Sequence, residues 1–320
     1  MNEFSVIKKY FSDLSKNNRG SFDLSDDIFF DYKKKVGISI DSYVEGTHFL
    51  NFKNPNLVIK KALRGAISDL ICKGIIPKYY FMSCSGNKKH LTQSNLAKIS
   101  LALKQEQKKY NVFLAGGDTS YSNILSITVC AVGYCNKSPV LRSGAKVNDD
   151  IYITNEIGDA FVGSKILKGK IKLTKKKSDY FVRRFYLPIL PTKFSKKIHL
   201  FANSAIDISD GFFQDLQHIL SRSKLSSKIF KDKIPISSYL NSYLIRTKKN
   251  KLNLISNGDD YQILFTASKK MRNLIKRISK STSTKVSIVG IVKNKSIFKN
   301  RKSTEEKFRF PKKLGYIHNF

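Results

Sequence analysis

The chain has 320 residues, 41% of them hydrophobic, so it is long enough to bury one large core or two ordinary ones and is not expected to be disordered. Its 59 Lys and Arg residues outnumber its 24 Asp and Glu residues and give a formal net charge of +35. Such an excess attracts nucleic acid, anionic membranes or phosphorylated substrates, but a solvated lysine-rich surface produced by compositional bias has the same charge.

Two further classes are disfavoured by the composition. No stretch reaches the roughly 18 consecutive apolar residues of a membrane span, and residues 1–11 lack the long apolar core of a secretory signal. The four cysteines, at positions 72, 84, 130 and 135, have no CxxC spacing. We therefore predict a cytoplasmic protein, without a membrane partner, whose cysteines are core residues in a reducing compartment and form neither disulfides nor a metal cluster.

The predicted elements alternate between strands and helices. In chain order they begin with a strand at Val36–Ile40. Asn54-Pro55, followed by apolar residues at helical spacing up to Ile71, then predicts a capped helix that Gly74 ends. The later elements are a helix at Leu96–Tyr110, strands at Ile124–Gly133 and Ile151–Thr154, helices near Gly158–Leu167, Ser178–Tyr186 and Phe212–Ser221, and strands at Gln262–Thr266 and Val286–Val292. This order predicts an α/β or α+β fold.

A turn-rich segment divides the chain. Ser138–Asp150 lies between two strand runs, and we place a domain boundary there, giving domains at residues 1–140 and 141–320. Near the C-terminus, the basic segment Lys293–Lys313 is predicted to be a mobile surface segment. The last residues, Leu314–Phe320, return to apolar character, so we expect them to be held against the rest of the protein.

Acidic residues are scarce, and their placement is therefore informative. Nine of the 24 lie at strand ends or beside Gly, Ser or Thr: Asp26-Asp27, Asp41, Asp69, Asp118, Asp207, Asp210 and Asp259-Asp260. Each alone has a structural explanation as a turn residue, a surface helix residue or a helix N-cap. Together, several carboxylates with few His and no paired Cys suit hard cations such as Mg²⁺, which bind carboxylates together with substrate phosphates.

Other chemistry has little support. The chain contains no GxxxxGK[ST], no GxGxxG after a strand, no HExxH and no GxSxG, so any ATP binding would depend heavily on metal ions. The lysine runs lack interleaved aromatics, and there is neither an RNP element nor zinc-finger spacing, so nucleic-acid binding is supported by charge alone. His48, which closes the compact segment Ser39–His48, fits a loop histidine and a functional residue equally well.

Eight elements, in order along the chain, resemble one known family. They are Ser25-Asp26-Asp27, Ser39-Ile-Asp41 with Val44–His48, Ser68-Asp69, Gly116-Gly-Asp118, Arg142-Ser-Gly-Ala, Ala205–Gly211, Gly258-Asp259-Asp260-Tyr, and Gly315-Tyr316 with His318. The chain resembles the thiamine-monophosphate kinases, of the aminoimidazole ribonucleotide synthetase-like superfamily.

The resemblance implies an N-terminal α/β domain that pairs across a homodimer, a C-terminal α/β domain and an active site between them. The implied reaction transfers the γ-phosphoryl group of ATP to thiamine monophosphate, in thiamine diphosphate biosynthesis, with several Mg²⁺ ions and without covalent catalysis. The implied Mg²⁺ ligands are Asp27, Ser39, Ile40 through its carbonyl, Asp41, Asp69, Asp118, Asp207 and Asp210. The implied ATP contacts are Gly117, Asp118, Arg142 and Ser209, and the implied thiamine-phosphate contacts are His48, Asp259 and Tyr316. Asp118, Asp210 and Arg142 would position phosphates and metals.

The sequence departs from the family pattern at four places. Ser25 stands where the family has Gly, Ala66 where it has Asn, Cys72-Lys73 where it has Ala-Met, and Asp259 where it commonly has Glu. Aminoimidazole ribonucleotide synthetase is the alternative enzyme, and a polyanion-binding protein is the alternative from another class. A selenophosphate synthetase-like role is disfavoured because the first cysteine, Cys72, lies on a predicted helix.

Overall fold

The computed structural model describes residues 3–295 and 314–316. In this part of the chain the strands form two five-stranded sheets. The first sheet contains β1 (Phe29–Asp31), β2 (Val36–Val44), β3 (Ile76–Gly86), β4 (Phe113–Tyr121) and β5 (Ser126–Tyr134). Its order is β1-β2-β5-β3-β4, and β3 and β4 are parallel whereas the other pairs are antiparallel.

One helix of the first half connects the two sheets. The helices are α1 (Glu3–Val6), α2 (Pro55–Cys72) and α3 (Gln93–Tyr110), and short helical turns lie at Ile7–Phe11, Ser12–Ser15 and Arg19–Leu24. α2 is buried along nearly its whole length because it packs against β2, β3 and β5 of the first sheet and also against the second sheet. Its buried residues include Lys61, Arg64 and Asp69 as well as apolar side chains. α3 packs on α2 and is otherwise largely exposed.

The second sheet is antiparallel throughout. It contains β6 (Asp150–Thr154), β7 (Ala202–Asp207), β8 (Leu225–Ile229), β9 (Ile263–Ala267) and β10 (Val286–Asn294), in the order β7-β9-β6-β10-β8. The helices of this half are α4 (Asp159–Leu167), α5 (Lys175–Tyr186), α6 (Thr192–Ser195), α7 (Phe212–Arg222), α8 (Ser238–Thr247), α9 (Lys251–Ile255) and α10 (Arg272–Ser281). Short helical turns lie at Ile198–Leu200, Lys231–Lys233 and Lys269–Met271. The predicted α/β fold class is confirmed.

The elements that the sequence did not predict include β1, β4, β8 and the helices α8 to α10, and two strands with polar or small residues, β3 and β7. β3 includes Pro77 and the run Ser83-Cys-Ser85, and β7 is rich in Ala and Ser, so neither has the apolar alternation typical of a strand. Both are stabilised by their neighbours: β3 pairs along most of its length with β4 and β5, and β7 pairs with β9. Tertiary pairing here overrides weak intrinsic preference.

The C-terminal predictions have different outcomes. Tyr316 is held as expected, because its N–H donates to the Asp210 carbonyl at 3.0 Å. Residues 296–313, which make up most of the predicted mobile segment, and residues 317–320, including His318, lie outside the described residues. None of the helices in the described ranges combines the length and hydropathy that crossing a bilayer requires.

A buried ion pair joins α2 to α3. The Arg64 guanidinium donates from Nε and Nη2 to the two Glu106 carboxylate oxygens at 2.7 and 2.8 Å, and from Nη1 to the Pro188 carbonyl at 3.0 Å. Both side chains are almost completely buried. Removing one partner of such a pair leaves an uncompensated buried charge.

We expect Glu106→Gln to lower the free energy of unfolding by about 3–5 kcal/mol, measured by urea denaturation. The matched control is Glu156→Gln, whose partners are Lys285, 80% exposed at 3.3 Å, and Arg184, 29% exposed at 3.9 Å; it should cost less than about 1 kcal/mol. Equal, small losses in the two variants would contradict the structural role of the Arg64–Glu106 pair.

Candidate active site

A cavity of about 810 Å³ is lined by residues from both halves of the chain. Its walls come from the loop before β1, the end of β2, α2, α4, the loop before α7, α7 itself and the loop before β9. The predicted site residues that line it are Asp27, Ile40, Asp41, His48, Asp69, Arg142, Ser209, Asp210, Asp259 and Tyr316. Among the described residues, Ser39, Gly117, Asp118 and Asp207 are the predicted site residues outside this lining.

Three carboxylates meet beside the cavity. Oxygen atoms of Asp27, Asp69 and Asp207 lie within 4.8 Å of one another, although they come from the loop before β1, from the last turns of α2 and from the end of β7. Asp69 is 8% exposed and Asp207 1% exposed, which excludes the alternative of a surface helix residue for Asp69. The Ser68 hydroxyl donates to Asp207 Oδ2 at 2.8 Å and fixes that carboxylate.

The electrostatics of this acid cluster, as we call Asp27, Asp69 and Asp207, fit a cation. Burial raises the pKa of Asp69 well above its usual value, and the charges of Asp41 and Asp207 raise it further. Burial also raises the pKa of Asp207. Buried carboxylates this close repel one another unless protons or cations neutralise them. An all-oxygen donor set of this kind suits Mg²⁺.

The strand β2 adds further oxygen atoms next to the cluster. Burial, followed by the charge of Asp207, raises the pKa of Asp41 to about 6. The Ser39 hydroxyl donates to the Ala66 carbonyl of α2 at 2.7 Å, which anchors this part of β2 on the helix. The Ile40 side chain is 67% exposed and points to the other face of the sheet, so only its backbone belongs to the site.

Two cations contact the loop that carries Asp27. The fully buried Lys73 Nζ lies 2.8 Å from Asp26 Oδ1 and 3.6 Å from Asp27 Oδ2. The Arg142 guanidinium binds both oxygens of Asp27, and the Arg142 backbone N–H donates to Asp26 Oδ2 at 2.8 Å. Burial alone would lower the pKa of Lys73, but the neighbouring groups, Asp26 first, raise it on balance. Lys73 was not among the predicted site residues, and its only sequence signal is the departure at Cys72-Lys73.

The loop before α7 forms another wall. Burial raises the pKa of Asp210 to about 7, with contributions from Glu3 and Asp207. Gln214 donates to Asp210 Oδ2 at 3.3 Å and to the Tyr316 carbonyl at 2.6 Å. These bonds hold the Tyr316 backbone against this loop. The N-cap of α7 is Gly211, so the alternative of Asp210 as the helix cap is excluded.

The predicted substrate residues also line the cavity. His48 Nδ1 accepts a hydrogen bond from the Val44 N–H at 3.0 Å, which orients the ring. Asp259 Oδ1 lies 2.6 Å from Nζ of Lys61, a buried α2 residue whose Nζ is also 3.4 Å from the centre of the Phe185 ring. Lys61 was not predicted, because a lysine on a helix is usually assigned to the surface.

Asp118 lies on a different face of the first sheet. It is exposed on β4 and in register with Ser83 of β3, which is in register with Thr128 of β5. Thr128 is in register with Ser42 of β2, and their hydroxyl oxygens are 2.8 Å apart. Since successive strand residues alternate faces, Asp118 and Asp41 point to opposite sides. Three interstrand spacings of about 4.8 Å also put β4 roughly 14 Å from β2. Within one chain, Asp118 does not join the acid cluster.

The face that carries Asp118 is open and partly apolar. Five of its large side chains are between 38% and 67% exposed: Ile40, Ile76, Tyr79, Phe81 and Tyr134. An exposed apolar surface of this kind is typical of an interface. We call it the open face.

Comparisons with known proteins show the family to which the chain belongs. The family model described as AIR synthase related protein, N-terminal domain, matches residues 25–135. A thiamine-monophosphate kinase from Buchnera aphidicola (subspecies Acyrthosiphon pisum) is 34% identical over 99% of this chain and 98% of its own length. The chain belongs to the thiamine-monophosphate kinase family. The Haemophilus influenzae thiamine-monophosphate kinase is 30% identical over 92% of this chain and 90% of its own length. A solved structure described as AaThiL complexed with AMPPCP and TMP has a TM-score of 0.81 at 27% identity, covering 92% of this chain and 91% of that one.

The departures from the thiamine-monophosphate kinase pattern have local structural consequences. The Ser25 hydroxyl donates to the Phe22 carbonyl and so stabilises the turn before Asp26. Ala66 is completely buried under β2. At the other two departures, Lys73 and Asp259, a buried lysine faces a carboxylate of the site.

Proposed function

We propose that this chain transfers the γ-phosphoryl group of ATP to thiamine monophosphate, giving thiamine diphosphate and ADP. The observation that carries the proposal is that one cavity is lined both by Asp27 and Asp69 of the acid cluster and by His48, Asp259 and Tyr316. A donor polyphosphate and a phosphorylated acceptor need such a shared site.

The acid cluster would hold Mg²⁺, with Asp41, Asp210 and the backbone of Ile40 beside it and Ser39 anchoring β2. Bound Mg²⁺ supplies charge neutralisation of the phosphates and helps to keep the attacking and leaving oxygens in line. Arg142 and Ser209 line the same part of the cavity and are placed to contact the ATP phosphates. In this arrangement the carboxylates bind metal and Arg142 binds phosphate directly, which accounts for acids clustering in a basic protein.

The acceptor needs no strong general base. The second pKa of a phosphate monoester is about 6, so the attacking oxygen is already largely ionised near neutral pH. The residues of the chain therefore act by binding and orientation. Asp259 offers a negative charge, and Tyr316 an aromatic ring, to the cationic thiazolium of thiamine. His48 also lines this cavity.

We further propose a homodimer in which the open face packs against a second copy. Asp118 lies on that face and follows Gly117 in β4, and neither residue lines the cavity of its own chain. Packing two open faces together would cover their apolar residues and bring the Gly117-Asp118 segment of β4 in one copy toward the proposed ATP-binding residues of the other. The segment between β5 and β6 contains no helix or strand, which supports the proposed domain division at residues 140 and 141. The free thiols of all four cysteines suit the proposed cytoplasmic location.

The test is ADP release by the purified chain with Mg²⁺ and ATP, with and without thiamine monophosphate, and with chromatographic identification of the second product. We expect thiamine diphosphate only when Mg²⁺, ATP and thiamine monophosphate are all present. Mg-ATP binding without this product would contradict the assignment of thiamine monophosphate as the acceptor. Formylglycinamidine ribonucleotide would be the next acceptor to test.

Substitutions of Asp259 test how the acceptor is bound. We expect Asp259→Glu to retain or improve kcat/KM for thiamine monophosphate, because the carboxylate remains and the 34% exposed side chain faces a cavity with room for one methylene. The control, Asp259→Asn, keeps the shape but loses the charge and should raise KM about tenfold, equivalent to about 1.4 kcal/mol. Steady-state kinetics with varied thiamine monophosphate measures both. Complete loss of activity in Asp259→Glu would mean that the cavity has adapted to the shorter acid.

A further inference from the structure

Lys73 connects two segments that supply the acid cluster. Its side chain is fully buried, and its Nζ lies 2.8 Å from Asp26 Oδ1. The same Nζ donates to the Ala205 carbonyl of β7 at 2.8 Å. Asp26 immediately precedes Asp27, and Ala205 is two residues before Asp207. One ammonium group therefore joins the loop of Asp27 to the strand of Asp207.

A buried ammonium group is costly unless carboxylates and carbonyls surround it. Filling space at the end of α2 would require only an apolar side chain. Asp26, whose side chain is 3% exposed, is buried together with Lys73, so the pair is an internal one and not a surface salt bridge. Nζ also lies 3.6 Å from Asp27 Oδ2, so its charge acts on the cluster itself.

We propose that Lys73 is a built-in cation of the acid site, which neutralises the Asp26-Asp27 loop and holds it on β7 before any divalent ion binds. The inference rests on the proposed function because it assumes that the acid cluster binds Mg²⁺. Lys73 is then a positioning residue. As a consequence, the thermal stability of this chain should depend less on Mg²⁺ than that of a chain with an apolar residue at position 73.

The test measures thermal stability of the full chain, by circular dichroism, from EDTA to saturating MgCl2. We expect Lys73→Met to unfold at a lower temperature than the wild type in EDTA, because Asp26 loses its counter-ion and Asp27 keeps only Arg142. We expect Mg²⁺ to raise its Tm by at least about twice the shift in the wild type, since an ion that binds only the folded state stabilises it by mass action. A variant that folds only with Mg²⁺ would be the extreme form of this result. Equal shifts in the two proteins, or a variant that remains unfolded in saturating Mg²⁺, would overturn the proposal.

Two comparisons make the test specific. Asp26→Asn combined with Lys73→Met removes the ammonium group and the carboxylate that faces it, so the Mg²⁺-induced shift should return to the wild-type value. Lys61→Met removes another buried lysine of α2, but one that faces Asp259, and should leave the shift unchanged. An equally enlarged Mg²⁺-induced rise in Tm in Lys61→Met would overturn the proposal, because the loss of any buried charge would then have the same effect.

Failure of this inference can be distinguished from failure of the proposed function. If Mg²⁺ shifts the Tm of the wild type and of Lys73→Met equally, the metal site stands and only the role of Lys73 is wrong. If neither protein responds to Mg²⁺, the proposed metal site is wrong as well.

Discussion

Asp69→Asn is expected to lower kcat for thiamine diphosphate formation by about 10³-fold or more, which corresponds to about 4 kcal/mol of transition-state stabilisation. Asp69 is the member of the acid cluster that α2 contributes, and Asn has the same shape without the charge. The loss of one of three neighbouring carboxylates should weaken Mg²⁺ binding and leave the triphosphate unneutralised.

Although Asp69→Asn should lose activity, it should not lose thermal stability in the absence of metal. Burial and the charges of Asp41 and Asp207 raise the pKa of Asp69, so its ionised form destabilises the metal-free protein. In EDTA the Tm of Asp69→Asn should therefore equal or exceed that of the wild type, and the Mg²⁺-induced rise in Tm should be reduced.

The control for Asp69→Asn is Asp150→Asn. Asp150 is a buried carboxylate that pairs with Arg272 at 2.6 Å on the second sheet, outside the cavity lining. This variant should lose stability and keep its kcat. A normal kcat together with a full Mg²⁺ response in Asp69→Asn would remove Asp69 from the metal site.

Asp118→Asn is expected to abolish turnover without unfolding the chain, and its activity should be recoverable by mixing. If Asp118 of one copy completes the site of the other, a heterodimer of Asp118→Asn and Asp69→Asn has one intact site and one site with both defects. Equal mixing gives half heterodimers, so about a quarter of the wild-type activity should return. Subunits would be exchanged by mild denaturation and refolding, and heterodimers isolated with two affinity tags.

The matched control is a mixture of Asp69→Asn and Asp207→Asn. Both residues belong to the acid cluster of a single chain. Every site in that heterodimer therefore has one defect, and the mixture should remain inactive. If the Asp118→Asn mixture also remains inactive although heterodimers are present, Asp118 acts in its own chain, and near-normal kinetics of Asp118→Asn alone would remove it from the site.

The sequence predicted much of the fold where patterning and tertiary structure agree. α2 was predicted with both its start and its end, because apolar residues recur along the helix between Asn54-Pro55 and Gly74, although the Asn54 side chain makes no capping hydrogen bond. β5 was predicted nearly in full, since its alternate residues are buried. β3 and β7 were not predicted, because their polar and small residues are stabilised by pairing with neighbours distant in the chain.

The sequence also determined the kind of chemistry. Scarce carboxylates at strand ends, in the order of a known family, predict a hard-cation and phosphate site, since side-chain donor type is a property of the residue itself. Ten of the predicted site residues line one cavity, as this prediction requires.

Only the tertiary structure decided which charges meet. Lysines are assigned to the surface from their hydropathy, yet Lys61 and Lys73 are buried against Asp259 and Asp26, because the packing of α2 between the sheets brings carboxylates to them. The structure likewise placed Asp118 on the open face, away from the acid cluster, because strand register decides on which side of a sheet a residue points. Contacts between segments more than 40 residues apart are set by this packing and have no local signal in the sequence.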